Sequence, residues 1–251
     1  MKKAILIAAA FGTLLTTAAL AAPVRIATEG AYAPFNYVDD TGKPAGFEID
    51  LGTEICTRAG LECTFQTNEW DSIIPNLVAG NYDVIMASMS ITDERKQTID
   101  FSDAYFPPDP SKYVARAGTS LDFNALSGKA IGVQSATIQA SFVEETFGAS
   151  NTVKAFDTAD KALADLGAGN IDIFFGDGTY VDEVVTSSSG ALEATGPDVI
   201  LGDGIGAGVR KGDADLKAKL DDTIKAMKAD GSLEALILKW FPDRKTPIFA
   251  N

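Results

Sequence analysis

Short apolar runs alternate with amphipathic segments along most of this chain, and no other feature constrains its fold as strongly. In the first part, the pattern predicts strands at 24–28, 63–67 and 84–87, and helices at 49–59 and 71–79, with Asp71 as the N-cap of the second helix. In the second part, it predicts strands at 130–133, 153–156 and 171–175, and helices at 138–146 and 158–168. Alternation of this kind is typical of parallel sheets flanked by helices, so we expect an α/β protein.

The two alternating stretches are separated by Phe106-Pro107-Pro108-Asp109-Pro110. This proline-rich segment is either a stiff connection between two lobes or a surface loop within one lobe. The stretches share no sequence period, so they do not indicate an internal repeat. Two further helices are predicted near the end of the chain, at 213–229 and 232–241.

The first 21 residues have the composition of an export signal. Lys2 and Lys3 precede an apolar run, and Ala19-Leu20-Ala21 has the small-x-small pattern of a cleavage site. We expect residues 1–21 to be a signal peptide, with a mature chain that begins at Ala22 in the periplasm. The alternative is an uncleaved anchor, which needs about 20 apolar residues and finds slightly fewer here.

The composition excludes several classes of function. The chain has 35 acidic and 21 basic residues, and loss of the two signal-peptide lysines takes its net charge from −14 to about −16. This charge argues against nucleic acid or an anionic membrane as a partner, and it suits a freely diffusing protein or one that attracts cations. The chain has no histidine, which removes the commonest general base and most zinc sites. Residues 39–42 lack the alternating ligands of a calcium loop. We therefore expect no metal, no cofactor and no catalysis.

Cys56 and Cys63 are the two cysteines of the chain. In an oxidising compartment, an even pair seven residues apart predicts a structural disulfide. Two buried free thiols are the alternative.

Candidate binding residues follow three of the predicted strands. Residues 87–95, Ala-Ser-Met-Ser-Ile-Thr-Asp-Glu-Arg, place hydroxyl groups at a strand end, a helix start near Thr92 and then Arg95. Free backbone N–H groups and a guanidinium favour a carboxylate there, although Arg95 could instead form a surface ion pair. Asp177, between two glycines after another strand, could accept from an ammonium group or form an ordinary turn. Tyr32 and Trp70 could flank a side chain or belong to the core.

These residues resemble a known family, the polar amino-acid-binding proteins of ABC importers, and most closely the lysine/arginine/ornithine- and histidine-binding group. The similar stretches are Ala33-Pro34-Phe35, Gly46-Phe47-Glu48-Ile49-Asp50-Leu51, Ser88-Met89-Ser90-Ile91-Thr92 with Arg95, Phe101-Ser102 and Gly208-Val209-Arg210-Lys211. They extend over nearly the whole mature chain, and the Cys56–Cys63 pair matches the disulfide of that group in position.

The resemblance implies a two-lobed, type II periplasmic-binding-protein (Venus-flytrap) fold. One lobe would comprise residues 22–106 and 198–251, the other 111–194, with crossings near 106–110 and 194–198. The implied partners are a free amino acid, as the small-molecule ligand, and an inner-membrane ABC permease, and the protein would be a monomer.

The resemblance also implies a role for each site residue. Arg95 would hold the ligand's α-carboxylate, helped by the N–H groups of Ser90 and Ile138. Asp177 and Ser88 would hold the α-ammonium. The remaining contacts, to the ligand side chain, would come from Tyr32, Trp70 and, at its far end, Glu29.

Three positions depart from the family pattern: Ala87, often a serine; Ile138, often a threonine; and Gln134, where an apolar residue is common. Glu29 also replaces a shorter aspartate. We expect a basic amino acid (arginine, lysine or ornithine) as the ligand. Histidine, glutamine or an opine remain alternatives, as do a periplasmic dehydratase on the same scaffold and a sensory role.

Overall fold

The computed structural model describes residues 22–242 and residue 244. The predicted signal peptide, residues 1–21, lies outside this part of the chain. Within the described residues, no helix is both long and apolar enough to cross a membrane. The strands are Val24–Thr28 (β1), Ala31–Tyr32 (β2), Asn36–Val38 (β3), Pro44–Ala45 (β4), Cys63–Thr67 (β5), Val84–Ile85 (β6), Ile99–Phe101 (β7), Pro110–Arg116 (β8), Ala130–Gln134 (β9), Thr152–Phe156 (β10), Ile173–Asp177 (β11), Leu192–Ile200 (β12) and Gly208–Arg210 (β13). The helices are Phe47–Ala59 (α1), Trp70–Val78 (α2), Asp93–Lys96 (α3), Ile138–Phe147 (α4), Ala159–Ala168 (α5), Gly178–Ser187 (α6), Ala214–Ala229 (α7) and Ser232–Trp240 (α8).

The first lobe is built on a five-stranded sheet with the order β5-β1-β6-β13-β7. Strand β1 is parallel to both β5 and β6, as the strand–helix alternation predicts, while β13 is antiparallel to β6 and β7. Helix α1 packs against α7 and α8, so the C-terminal helices complete the first lobe. A smaller antiparallel sheet, β2-β3-β4, follows β1 directly and carries Tyr32.

The second lobe contains another five-stranded sheet, with the order β10-β9-β11-β8-β12. Here β9 is parallel to β10 and β11, whereas β8 is antiparallel to both β11 and β12. The sequence pattern predicts β9 and β10 closely but indicates neither β8 nor β12. Strand β11 begins and ends two residues later than the predicted strand at 171–175, because it pairs with β8 as far as Asp177, which lies opposite Ser111.

Two segments join the lobes side by side. Phe106 forms an isolated bridge with Ile205 in the first lobe, and four residues later Pro110 pairs with Ile200 in the second. Strand β12 therefore continues to Ile200 within the second sheet, beyond the crossing at 194–198 that the sequence predicts. Residues 201–204 lie between this strand and the Ile205 bridge, and Asp203 and Gly204 already exchange hydrogen bonds with Ile91 of the first lobe.

Helix boundaries follow local capping. Thr92, Thr137 and Thr158 are the N-caps of α3, α4 and α5, and each side chain accepts a hydrogen bond from a backbone N–H in the first turn. Helix α1 ends at Gly60, which has a left-handed φ of 63° that glycine adopts without strain. The sequence prediction that Asp71 caps α2 is wrong. Glu69 occupies the N-cap position, and Asp71 lies in the first turn.

Cys56 near the end of α1 and Cys63 at the start of β5 form a disulfide. The bond confirms the pairing that the sequence predicted and excludes the alternative of two free thiols.

Candidate functional site

All ten predicted site residues line one cleft between the two lobes. The first lobe contributes Glu29, Tyr32, Trp70, Ala87, Ser88, Ser90 and Arg95, and the second contributes Gln134, Ile138 and Asp177. They meet because strand ends of both sheets, and the loops that follow them, face the cleft. This is the usual location of ligands in open α/β sheets.

Arg95 lies in the short helix α3, where its backbone N–H donates to the Thr92 cap over 3.1 Å. Its Nη1 donates to the Ser90 carbonyl over 2.9 Å, and its guanidinium lies 5.3 Å from the centre of the Trp70 ring. These contacts fix the planar group at one end of the cleft. Burial lowers the pKa of Arg95 to about 10, so the side chain remains cationic at neutral pH.

The N-terminus of α4 faces the same end of the cleft, where Thr137, Ile138 and Gln139 are lining residues. The first N–H groups of a helix have no acceptor within the helix, and they carry the positive end of its dipole. Together with Arg95, they make this end suitable for a carboxylate.

Asp177 ends β11 and precedes α6. Tyr32 donates its hydroxyl to Oδ2 over 2.7 Å, and Gln139 donates Nε2 to Oδ1 over 2.8 Å. Burial raises the pKa of Asp177 to about 6, while these two donors oppose the rise. A carboxylate offers about four acceptor positions, so Asp177 keeps capacity for an ammonium group.

Ser88 presents a hydroxyl that lacks a protein partner. Its Oγ is buried and makes no hydrogen bond within the described residues, although the residue lines the cleft. An unpaired buried hydroxyl is unfavourable, so this atom is available to a polar ligand.

The aromatic residues differ in their surroundings. One face of Tyr32 is stacked on Tyr180 of the second lobe, with ring centres 4.2 Å apart and planes inclined by 9°. Trp70 donates Nε1 across the cleft to the Ala136 carbonyl over 3.2 Å. Both rings thus form walls of the cleft and also link the lobes.

The far end of the cleft is acidic. Glu29 accepts from Gln134 Nε2 over 2.6 Å, a hydrogen bond that joins the two lobes. Burial, together with the negative charges of Glu69, Asp160 and Glu48, raises the pKa of Glu29 to about 7 against the lowering effect of the Gln134 hydrogen bond. A positive group placed here would restore the ionised form of Glu29 and reduce the repulsion.

Comparison with known proteins agrees with this architecture. The sequence profile of the family described as "Bacterial extracellular solute-binding proteins, family 3" matches residues 24–243. The chain belongs to this family.

Relatives of the chain cover almost its full length. It is 35% identical to the lysine/arginine/ornithine-binding periplasmic protein of Escherichia coli K12, over 96% of this chain and 97% of that protein. It is 34% identical to a putative ABC transporter arginine-binding protein of the same strain, over 96% and 99%. A solved His/Glu/Gln/Arg/opine family-binding protein from Silicibacter pomeroyi, in complex with lysine, is 46% identical with a TM-score of 0.82, and the match covers 89% of this chain and 99% of that one.

The cleft of this family 3 protein also contains residues that the sequence reasoning missed. They are Thr137, Gln139, Ala159, Phe174, Phe175 and Gly176. The position of Gln139 directly after Ile138, in the first turn of a predicted helix, could have identified it. Thr137 and Gly176 are likewise adjacent to the predicted residues Ile138 and Asp177. Ala159, Phe174 and Phe175 line the cleft through tertiary packing, for which the local sequence carries no signal.

Proposed function

We propose that this family 3 protein is the periplasmic substrate-binding component of an ABC amino-acid importer and that it binds a basic amino acid, namely arginine, lysine or ornithine. One observation carries the proposal: the cleft has a cationic end at Arg95, an anionic group at Asp177 and a second, acidic end at Glu29.

The α-amino-acid part of the ligand is supported by Arg95 and Asp177. They come from different lobes, so a zwitterion satisfies both only when the lobes are together. The α-carboxylate would accept from Arg95 and the N–H groups at the start of α4. The α-ammonium would donate to Asp177 and Ser88. Micromolar affinity corresponds to about −8 kcal/mol, which two charge-assisted contacts and aromatic packing can supply.

The cationic side chain is supported by the acidic far end. Glu29 keeps one carboxylate oxygen beyond its bond to Gln134, and nearby negative charges favour a guanidinium or ammonium there. The walls formed by Tyr32 and Trp70 suit the apolar stem of such a side chain.

The carboxylate contact is tested by reversing the charge of Arg95. Calorimetry should show that R95E abolishes arginine binding, because the variant places a negative charge against the ligand carboxylate. K96E, the adjacent exposed position on the same helix, is the matched control and should bind within about twofold of the unmodified protein.

Two ligand analogues complement this variant. Agmatine, which is arginine without its carboxylate, should bind at least about 100-fold more weakly than arginine, since it loses the charge-assisted contacts at this end. Equal binding of agmatine and arginine, or retained arginine binding by R95E, would contradict the proposed contact between Arg95 and the ligand carboxylate.

A further inference from the structure

Glu48 is a buried carboxylate that does not line the binding cleft. It is the second residue of α1, within the Gly46–Leu51 stretch, and its side chain has no exposed surface. Its three hydrogen-bond donors are neutral groups: Asn36 Nδ2 over 2.7 Å, the Ser88 backbone N–H over 2.6 Å and the hydroxyl of Tyr105. Burying a carboxylate is unfavourable, so this arrangement requires all three donors.

Ser88, one of the three groups held by Glu48, has an unusual backbone conformation. Its φ is 50°, in the left-handed region that a residue with a side chain rarely adopts. Such a conformation persists only where the surroundings hold it. The hydrogen bond from its N–H to Glu48 Oε1 is the contact that holds it from the interior side. Ser88 also lines the cleft, and its hydroxyl has no hydrogen-bond partner among the described residues.

The other two donors connect Glu48 to further parts of the site. Asn36 uses its Oδ1 to accept from the Gly30 N–H over 2.7 Å, which fixes the backbone directly after Glu29. Tyr105 immediately precedes Phe106, where the chain begins its first crossing between lobes. One carboxylate therefore joins the loop that bears Glu29, the loop that bears Ser88 and the edge of the hinge.

We infer that Glu48 is a positioning residue for ligand binding, which orients the Ser88 hydroxyl toward the α-ammonium of the bound amino acid. The inference rests on the proposed function, because it assigns that ammonium to the partner that Ser88 lacks. Glu48 itself does not touch the ligand.

Replacement of Glu48 by glutamine tests this with little change of volume. If the amide oxygen of the glutamine accepts from Ser88 and Tyr105, its amide nitrogen faces Asn36 Nδ2, so that two donors oppose each other. Asn36 cannot turn its own amide around without losing the hydrogen bond from the Gly30 N–H. The three-way arrangement is therefore broken while the core stays filled. E54Q, the same substitution at a half-buried position of α1 that is paired with Arg58 and lies outside the cleft, is the matched control.

Arginine binding by S88A, E48Q and the double variant forms a double-mutant cycle. S88A should weaken binding about tenfold, which corresponds to one hydrogen bond to a charged group. E48Q should weaken it by a similar factor, and the double variant should be within about threefold of S88A, because both changes remove the same contact. E54Q should bind normally. Independent losses that multiply to about 100-fold, or normal binding by E48Q, would overturn the inference.

A crystal structure of ligand-free E48Q gives a second readout that needs no ligand. We expect Ser88 to leave the left-handed region, with its hydroxyl turned from the cleft. If Ser88 keeps a φ near 50° in E48Q, the positioning role is overturned, even if this variant binds arginine more weakly. Conversely, Ser88 could be displaced in E48Q while the unmodified protein binds no basic amino acid. That result would contradict the proposed function and support the role of Glu48 in orienting Ser88.

Discussion

Replacement of Glu29 by glutamine should convert a strong preference for basic amino acids into a weak one. Burial and neighbouring acids raise the pKa of Glu29 from 4.5 to about 7. At about 1.4 kcal/mol per unit, this shift disfavours the carboxylate by about 3 kcal/mol until a cation pairs with it. A cationic ligand side chain offsets this cost, whereas a neutral one does not.

The magnitude follows from the surroundings of Glu29. Removal of one partner from a fully buried charge pair costs about 3–5 kcal/mol. Glu29 is only partly buried, which reduces this figure to about 2–3 kcal/mol. The dissociation constant for arginine should therefore rise about 30- to 150-fold in E29Q, while that for glutamine should change less than about threefold.

Isothermal titration calorimetry of both ligands at pH 8 measures this difference. E69Q is the matched control, since the charge of Glu69 also raises the pKa of Glu29, but Glu69 is exposed and does not line the binding cleft. It should weaken arginine binding by no more than about threefold. If E29Q bound arginine within threefold of the unmodified protein, the assignment of the far end to a cation would be refuted.

Three further predictions concern the disulfide, the lobes and the hinge. The C56S/C63S variant should lose about 2–3 kcal/mol of unfolding free energy, seen as a lower Tm, but bind arginine within twofold; an unchanged Tm would contradict this. The pKa values of both Glu29 and Asp177 are raised in the closed cleft, so closure of the empty protein takes up protons. Small-angle scattering should then show a smaller ligand-free radius of gyration at pH 5 than at pH 8, and the opposite trend would refute the argument. Arg244 lies 3.5 Å from Asp109 and donates to Thr179 over 2.9 Å at the hinge. R244A should release arginine about fivefold faster in stopped-flow measurements, because it loses these contacts between the lobes, and R244K should have an intermediate rate. Equal release rates for R244A and the unmodified protein would exclude a role of Arg244 in keeping the lobes closed.

The sequence was most informative where function and secondary structure depend on local pattern. Strands β1, β5 and β6, helices α4 and α5 and the Cys56–Cys63 pair all follow from neighbouring residues. Asp177 and Arg95 were found because they follow strand ends, where ligands commonly bind.

Long-range packing decided the features that the sequence did not predict. Strand β8 forms because it pairs antiparallel with both β11 and β12, and β12 forms the edge of the second sheet beside it. Asp71 accepts from Ser135 of the opposite lobe over 2.7 Å, a contact that no local capping pattern contains. The stacking of Tyr32 on Tyr180 likewise depends on how the lobes meet.

Calorimetric titration of the mature protein with the twenty amino acids, ornithine and an opine tests the central proposal most directly. The geometry of Arg95, Asp177 and Glu29 predicts that arginine, lysine or ornithine binds most tightly, with a dissociation constant near or below micromolar. Equal or tighter binding of glutamine, glutamate or the opine would contradict the account.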